Sequence, residues 1–238
     1  MKRSEINKII DYTIDKAEFF KIPLPPFAFY TLEDWKKVTS DEAEIVDNML
    51  GWDITDFGTS DFEHVGLTVF TFRNGNFNLK DKYPKNYCEK LLFVRDGQIL
   101  PFHFHWYKME DIINRGGGTL KLTLYNADEN EGFADTPVEV TVDGKNFTIP
   151  AGGEIFLKPG QSVTLKPYQY HQWQGVEGTG DIALFEVSTT NDDTKDNRFY
   201  KAQARIPNVE EDEELKYLMF KDYKDYITYY NYLKINYL

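Results

Sequence analysis

The chain has little cysteine: Cys88 is the only one in 238 residues. No internal disulfide can form, and a reducing compartment, the cytoplasm, is the expected setting. Histidine is nearly as scarce, with 4 in all, so any pair of them carries information. Long apolar runs are missing too. The opening stretch MKRSEINKIIDYTIDKAEFF scatters charges among its apolar residues, which leaves neither the apolar centre of a secretory leader nor a membrane span. No cluster of lysine and arginine offsets a formal net charge of -12. Such a charge repels phosphate backbones and anionic lipid surfaces, so neither nucleic acid nor a membrane is expected as a partner.

Aromatic residues are abundant instead, with 18 Phe, 16 Tyr and 4 Trp. Hydrophobic residues make up 41% and charged residues 28%, an ordinary globular balance that excludes a disordered chain and a fibrous repeat. A mostly β chain of this length is expected to form one domain.

Ile6, Ile9, Ile10, Ala17 and Phe20 recur near a period of 3.6, which predicts an amphipathic helix capped by Ser4 and ended by the prolines of KIPLPPFAFY. A second, shorter helix is predicted from Ser40 to Leu50, with Ser40 and Asp41 meeting the first-turn amides and Gly51 stopping the run. From about Phe62 to about Phe185 the texture changes to short runs rich in Val, Thr, Phe, Leu and Tyr. GLTVFTF, KLLFV, ILPFHFHW, TLKLTLY, PVEVTV, NFTI, EIFL, SVTL and IALFEVS are separated by turn-forming pairs such as Asn-Gly and Asp-Gly. These are enough strands to close a barrel or to pair two sheets. The organisation expected is therefore a helical lead over residues 1–58, a β-barrel over 59–205 and an extension over 206–238. The extension is acidic in VEEDEE and then Tyr-rich; it reads as a C-terminal helix or lid, or as a tail packed on a neighbouring subunit.

His103 and His105 stand two apart in a strand-like run, so both imidazoles face one side of a sheet. Glu110 follows, and His171 arrives later in KPYQYHQW. Together they supply the nitrogen and oxygen donors of a transition-metal site; His64 has no such company. Three neutral nitrogens and one carboxylate leave two octahedral positions open to a substrate hydroxyl and carbonyl. Mn²⁺ suits this mixed, exchangeable shell, while Fe²⁺, Co²⁺, Ni²⁺ and Zn²⁺ remain alternatives.

Other residues gather around this set. If Asp96-Gly97 forms a two-residue hairpin, Arg95 faces Gln98, and continued pairing sets Lys90 opposite His103, aimed at the metal. Lys108 is a second candidate cation, although a lysine there would more commonly face solvent. Glu186 shares a strand face with Ile182 and Leu184, where a barrel interior normally places an aliphatic side chain; it reads as a base poised beside a carbonyl, or as an edge residue turned outward. Asp192, Asp193, Asp196 and Arg198 follow in a polar segment over a pocket or in a solvated turn.

The spacing of Gly97, His103, His105, Glu110 and Gly117 resembles the first signature motif of the cupin superfamily. The second motif is partial, with Gly153, Pro159, Pro167 and His171 in place but Gly175 where asparagine is usual. More closely, LPFHFHWYKMEDIINRGGG, KPYQYHQW and FEVSTTNDDTKDNRFY resemble the D-lyxose ketol-isomerases, from the opening helix to about Glu214. That resemblance implies a mainly β, cupin-type barrel or jelly roll with N-terminal helices, a homodimer, and bound Mn²⁺. It also implies interconversion of D-lyxose with D-xylulose and of D-mannose with D-fructose. Carried over by position, it implies metal ligation by His103, His105, Glu110 and His171, with Lys90, Lys108, Glu186 and Asp193 in the sugar-contacting and catalytic segments. Against it stand a cupin oxygenase with the same metal shell, a non-catalytic sugar receptor, and a phosphosugar isomerase, the last disfavoured because no phosphate-binding basic cluster is evident.

Overall fold

The computed structural model of the protein describes residues 1–206 and 208–227. Helix α1 (Arg3–Phe19) buries Ile6, Ile9, Ile10 and Ala17 along one stripe, as the periodicity requires. Its start differs from expectation: Lys2 is the N-cap and contributes no side-chain bond. The Ser4 amide and hydroxyl donate instead to Asp212, at 2.9 and 2.8 Å. Arg3 pairs with Glu211 through two nitrogens, each at 2.8 Å, and with Asp222 at 3.0 Å. The acidic run after the barrel thus returns to the first turn of α1, where the amide end of the helix dipole favours negative charge.

Short helices α2 (Leu32–Trp35) and α3 (Ala43–Asp47) follow, the latter led by a 3₁₀ turn over Ser40–Glu42. Its cap falls one residue earlier than predicted. The Thr39 hydroxyl accepts from the Asp41 amide at 3.2 Å while the Glu42 carboxylate accepts from the Thr39 amide at 3.0 Å, a reciprocal box.

The strands are β1 (Gly51–Thr55), β2 (Leu67–Arg73), β3 (Tyr87–Val94), β4 (Ile99–Phe104), β5 (Glu110–Gly117), β6 (Leu120–Ala127) and β7 (Phe133–Ala134). They continue with β8 (Val138–Val142), β9 (Lys145–Ile149), β10 (Gly153–Leu157), β11 (Ser162–Leu165), β12 (Gln169–Gly175), β13 (Ile182–Thr189) and β14 (Arg198–Phe199). One antiparallel sheet runs β1-β2-β3-β13-β5-β11-β8-β9 and the other β10-β6-β12-β4-β14, with β7 beside β6. The two curled sheets face each other as a half-barrel. β1 lies within the span expected to be a helical lead, yet it pairs with β2 from Gly51↔Thr71 to Thr55↔Leu67 and forms the edge of the larger sheet.

Between the sheets lies a core that includes Leu92, Leu100, Ile112, Leu122, Leu124, Val140, Trp173 and Leu184. A second cluster seats α1 on the outer face of the larger sheet, where Ile6, Ile10, Trp52, Phe70 and Leu91 pack together. Strands β2 and β3 are therefore buried on both faces, which is why they read as continuous apolar runs. A third cluster joins Trp35 and Val46 to Leu218 and Tyr223, and holds the short terminal helix α4 (Tyr223–Tyr226). Among the described residues of the C-terminal extension, only 220–226 are helical. None of its described residues lines the cavity between the sheets, and residues 228–238, most of the Tyr-rich run, lie outside the described residues.

Cys88 on β3 is fully buried, and burial pushes its thiol up to about 12. It is expected to resist thiol-reactive disulfides at pH 8 for as long as the protein stays folded and to react at once in denaturant; time-resolved titration of the thiol checks this.

Candidate functional site

The two-residue turn at Asp96-Gly97 forms as expected: the Gln98 amide donates to the Arg95 carbonyl at 3.0 Å, and Gly97 takes φ +73°. The hairpin beyond it does not. β3 is already flanked by β2 and β13, and a strand has only two edges, so β4 crosses into the smaller sheet and pairs with β12. Lys90 is therefore not opposite His103; its cross-strand neighbour is Glu186 on β13. It reaches the same cavity from the facing sheet.

Gly175, the departure from the usual asparagine, has a steric cause. A Cβ there would lie 2.6 Å from the Arg95 carbonyl oxygen, so the close approach of β12 to the turn demands glycine.

The smaller sheet supplies three imidazoles. His103 and His171 are direct cross-strand partners, and His105 follows at the end of β4. Each ring is oriented by a backbone carbonyl: His103 Nδ1 lies 2.9 Å from Pro101 O, His105 Nδ1 2.5 Å from Asp196 O, and His171 Nδ1 3.0 Å from Gln169 O. A carbonyl only accepts, so every Nδ1 carries the proton and every Nε2 presents a lone pair. Those nitrogens converge, with ligand atoms within 4.8 Å of one another. Burial pulls the His171 pKa down to about 4 and takes that of His103 well below its ordinary value.

Glu110 opens β5 on the opposite sheet, its Oε1 3.6 Å from His105 Nε2 and 3.4 Å from His171 Nε2. Burial opposes its ionisation, yet the adjacent Lys108 ammonium holds its pKa well below the carboxylate range. Two observations fit this set to a cation. His103 Nε2 and His171 Nε2 face each other at 3.0 Å with no proton between them, and His105 Nε2 and Glu110 Oε1 are buried without a hydrogen-bond partner. Such groups are costly unless a positive charge binds them.

Beyond the imidazoles the cavity wall alternates in charge. Lys108 Nζ lies 2.5 Å from Glu110 Oε2 and 3.0 Å from Glu186 Oε1. Lys90 Nζ lies 3.6 Å from the same Glu186 oxygen and 2.8 Å from Asp193 Oδ2. Arg205 Nη2 continues the row, 3.8 Å from Asp193 Oδ2 and 2.6 Å from Asp53 Oδ2. Desolvation alone would lower the pKa of Lys90, but Asp193 and Glu186 outweigh it and raise the value. Asp193 is held below its ordinary value against its burial, chiefly by Lys90 and then Arg205.

Of the two readings of Glu186 the structure takes the inward one, with the residue 3% exposed, and its carboxylate also accepts from Ser188 Oγ at 2.9 Å. Lys108 is 4% exposed, so it belongs to the interior and not to the solvent face. The sheet walls are held by ladders, and the cavity they enclose has room for about 30 Å³, roughly one water. Asn197 and Arg205, which also line it, come from irregular segments outside those ladders.

Asp196 was legible only as part of a polar segment, yet it shapes the site. Its carboxylate accepts from the amides of Trp106, Tyr107 and Lys108 at 2.7, 3.1 and 3.0 Å, while its carbonyl takes the His105 proton. Asp196→Ala is expected to weaken metal retention roughly 10- to 100-fold, the usual cost of losing support behind a ligand, read by titration with a competing chelator. Asp53 and Arg205 were missed. Asp53 carried the same signal as Glu186, an acid inside an apolar strand, whereas Arg205 lies in irregular chain with no pattern to mark it.

The profile of the D-lyxose isomerase family matches residues 1–223. The chain belongs to that family. The D-lyxose/D-mannose isomerase of Serratia proteamaculans is 46% identical over 220 residues, covering 92% of this chain and 96% of the relative. That of Escherichia coli O157:H7 is 44% identical over 214 residues, covering 90% and 94%. This member of the D-lyxose isomerase family is accordingly a sugar isomerase. Among solved structures, Geodermatophilus obscurus L-ribose isomerase superposes with TM-score 0.58 at 15% identity, covering 88% of this chain and 98% of that one; the likeness shows a shared fold. Among the described residues no helix is long and apolar enough to cross a membrane.

Proposed function

We propose that the protein is a metal-dependent aldose–ketose isomerase that interconverts D-lyxose with D-xylulose and D-mannose with D-fructose. The observation that carries this reading is the convergence of three Nε2 lone pairs and the Glu110 carboxylate beside a buried lysine–glutamate pair, Lys108 and Glu186. A divalent ion held by His103, His105, Glu110 and His171, with Mn²⁺ first among the candidates, would supply Lewis acidity to adjacent carbonyl and hydroxyl oxygens of the sugar.

The chain's own groups do the rest. Glu186 takes the proton from C2 and returns it to C1, in keeping with its inward, buried placement. Lys108 and Lys90, flanking Glu186, donate to the oxygen on which negative charge develops, in a water-poor space where such donors count for most. Asp193 keeps Lys90 charged and aimed, and with it forms a donor–acceptor pair for a further sugar hydroxyl. The names borne by the relatives support these two substrates, and the absence of a second cysteine is in keeping with a reducing cytoplasm. The homodimer implied by the family resemblance belongs to the same reading.

The test is direct. Protein stripped of metal and reloaded with Mn²⁺ is expected to form ketose from D-lyxose and from D-mannose without consuming oxygen, and solvent deuterium should enter at C1 or C2 during turnover. Oxygen uptake, or sugar binding with no ketose, would overturn the assignment. Complete retention of the C2 label would remove Glu186 from its role and leave a hydride shift.

A further inference from the structure

Arg205 is a paradox as a purely structural residue. Its guanidinium lies in the cavity wall with the side chain 14% exposed. Nη2 meets Asp53, but Nη1 is buried with no hydrogen-bond partner. A guanidinium has five N–H donors in a fixed fork, and leaving part of that fork dry is costly unless a ligand completes it. Along the row of ion pairs, Arg205 follows Lys108, Glu186, Lys90 and Asp193 and is its last cation.

Successive hydroxyls of a sugar are each donor and acceptor, and a wall of alternating cations and carboxylates matches such a chain. With C1 and C2 at the imidazole end, the far end of the molecule falls to Arg205, the last cation of the row. Asp53 is 3% exposed on β1, and its ion pair with Nη2 fixes the guanidinium in the wall while Nη1 is left without a partner. We infer that Arg205 Nη1 donates to a sugar hydroxyl on C4 or C5, making Arg205 a specificity-determining residue that never touches the reacting carbons. The inference rests on the sugar isomerase reading given above.

The experiment measures kcat and KM of the Mn²⁺-loaded protein for D-lyxose, 4-deoxy-D-lyxose and 5-deoxy-D-lyxose, in wild type, Arg205→Gln and Arg205→Ala. In wild type one of the deoxy sugars is expected to lose roughly 10- to 100-fold in kcat/KM, the size of one hydrogen bond to a charged group. Arg205→Ala should lose a similar factor on D-lyxose, mainly through KM, and less than about 3-fold on that same deoxy sugar, because the interaction is already gone. Arg205→Gln, which keeps one neutral donor, should fall between them, and metal content should not change. The wild-type arm needs no variant to fold, and the wild-type-to-variant ratio cancels differences in ring form between sugars. If wild type turns over D-lyxose and both deoxy sugars equally well, or if Arg205→Ala loses the same factor on all three, the role of Arg205 is overturned alone. If wild type forms no ketose at all, both it and the isomerase reading fall.

Discussion

Replacing His171 with alanine is expected to strip the protein of its bound metal and to lower kcat/KM by about three orders of magnitude or more, since Lewis acidity at the reacting oxygens contributes several kcal/mol. The reason lies in a single pair of atoms. His171 Nε2 sits 3.0 Å from His103 Nε2, and both Nδ1 protons are committed to carbonyls, so the two lone pairs repel until a cation lies between them. Metal content by elemental analysis and melting curves with and without Mn²⁺ read the outcome. Wild type should gain thermal stability on loading, and His171→Ala should gain none, while the two stripped proteins melt within a few degrees of each other. A variant that keeps stoichiometric metal and the stability gain would remove His171 from the ligand set.

Glu186→Gln should behave differently. The amide keeps the length of the side chain and an acceptor for Ser188 and Lys108, but it cannot take up a proton. A loss in kcat of roughly 10²- to 10⁴-fold is expected, the range of a positioned acid–base group, with KM changed only a few-fold and metal content intact. Exchange of the C2 proton with solvent should disappear along with turnover. Unchanged kcat would show that the proton moves through another group, and a loss of metal instead of rate would make Glu186 part of the metal shell.

Much of this site could be read along the chain. The three histidines and Glu110 were legible because strand periodicity and fixed spacing are local properties: two residues apart on a strand means one face. Glu186 was legible because an acid among Ile182, Ala183, Leu184 and Val187 contradicts the apolar pattern around it. Asp53 issued the same contradiction between Trp52 and Ile54, but its strand fell within a segment read as helical lead, so its face had no partner. Lys108 gave no local sign of burial. Its environment consists of Glu110 and Glu186, and the second of these is far away in sequence.

The pairing of β3 shows the limit most clearly. A two-residue turn at Asp96-Gly97 was correctly read, and the natural extension was a hairpin with Lys90 across from His103. Whether a turn continues as a hairpin or hands the chain to another sheet depends on which edges are already taken, and β2 and β13 take both edges of β3. The first helix has a similar history. Its apolar stripe was evident, while its true N-terminal acceptors are Glu211 and Asp212, which follow in the chain only after the whole barrel.

Sequence by itself determined the class of fold, most of the strand-rich region, the shared face of His103 and His105 on β4, and the four metal-ligand candidates, because side-chain alternation and turn chemistry act over a few residues. Tertiary structure alone decided that Lys90 neighbours Glu186, that Lys108 is buried, that Asp196 holds the loop behind His105, and that Arg205, paired with Asp53, completes the cavity wall. Those contacts join residues up to about 150 positions apart, and their pairing follows from strand edges, packing and the need of each buried charge for an opposite one.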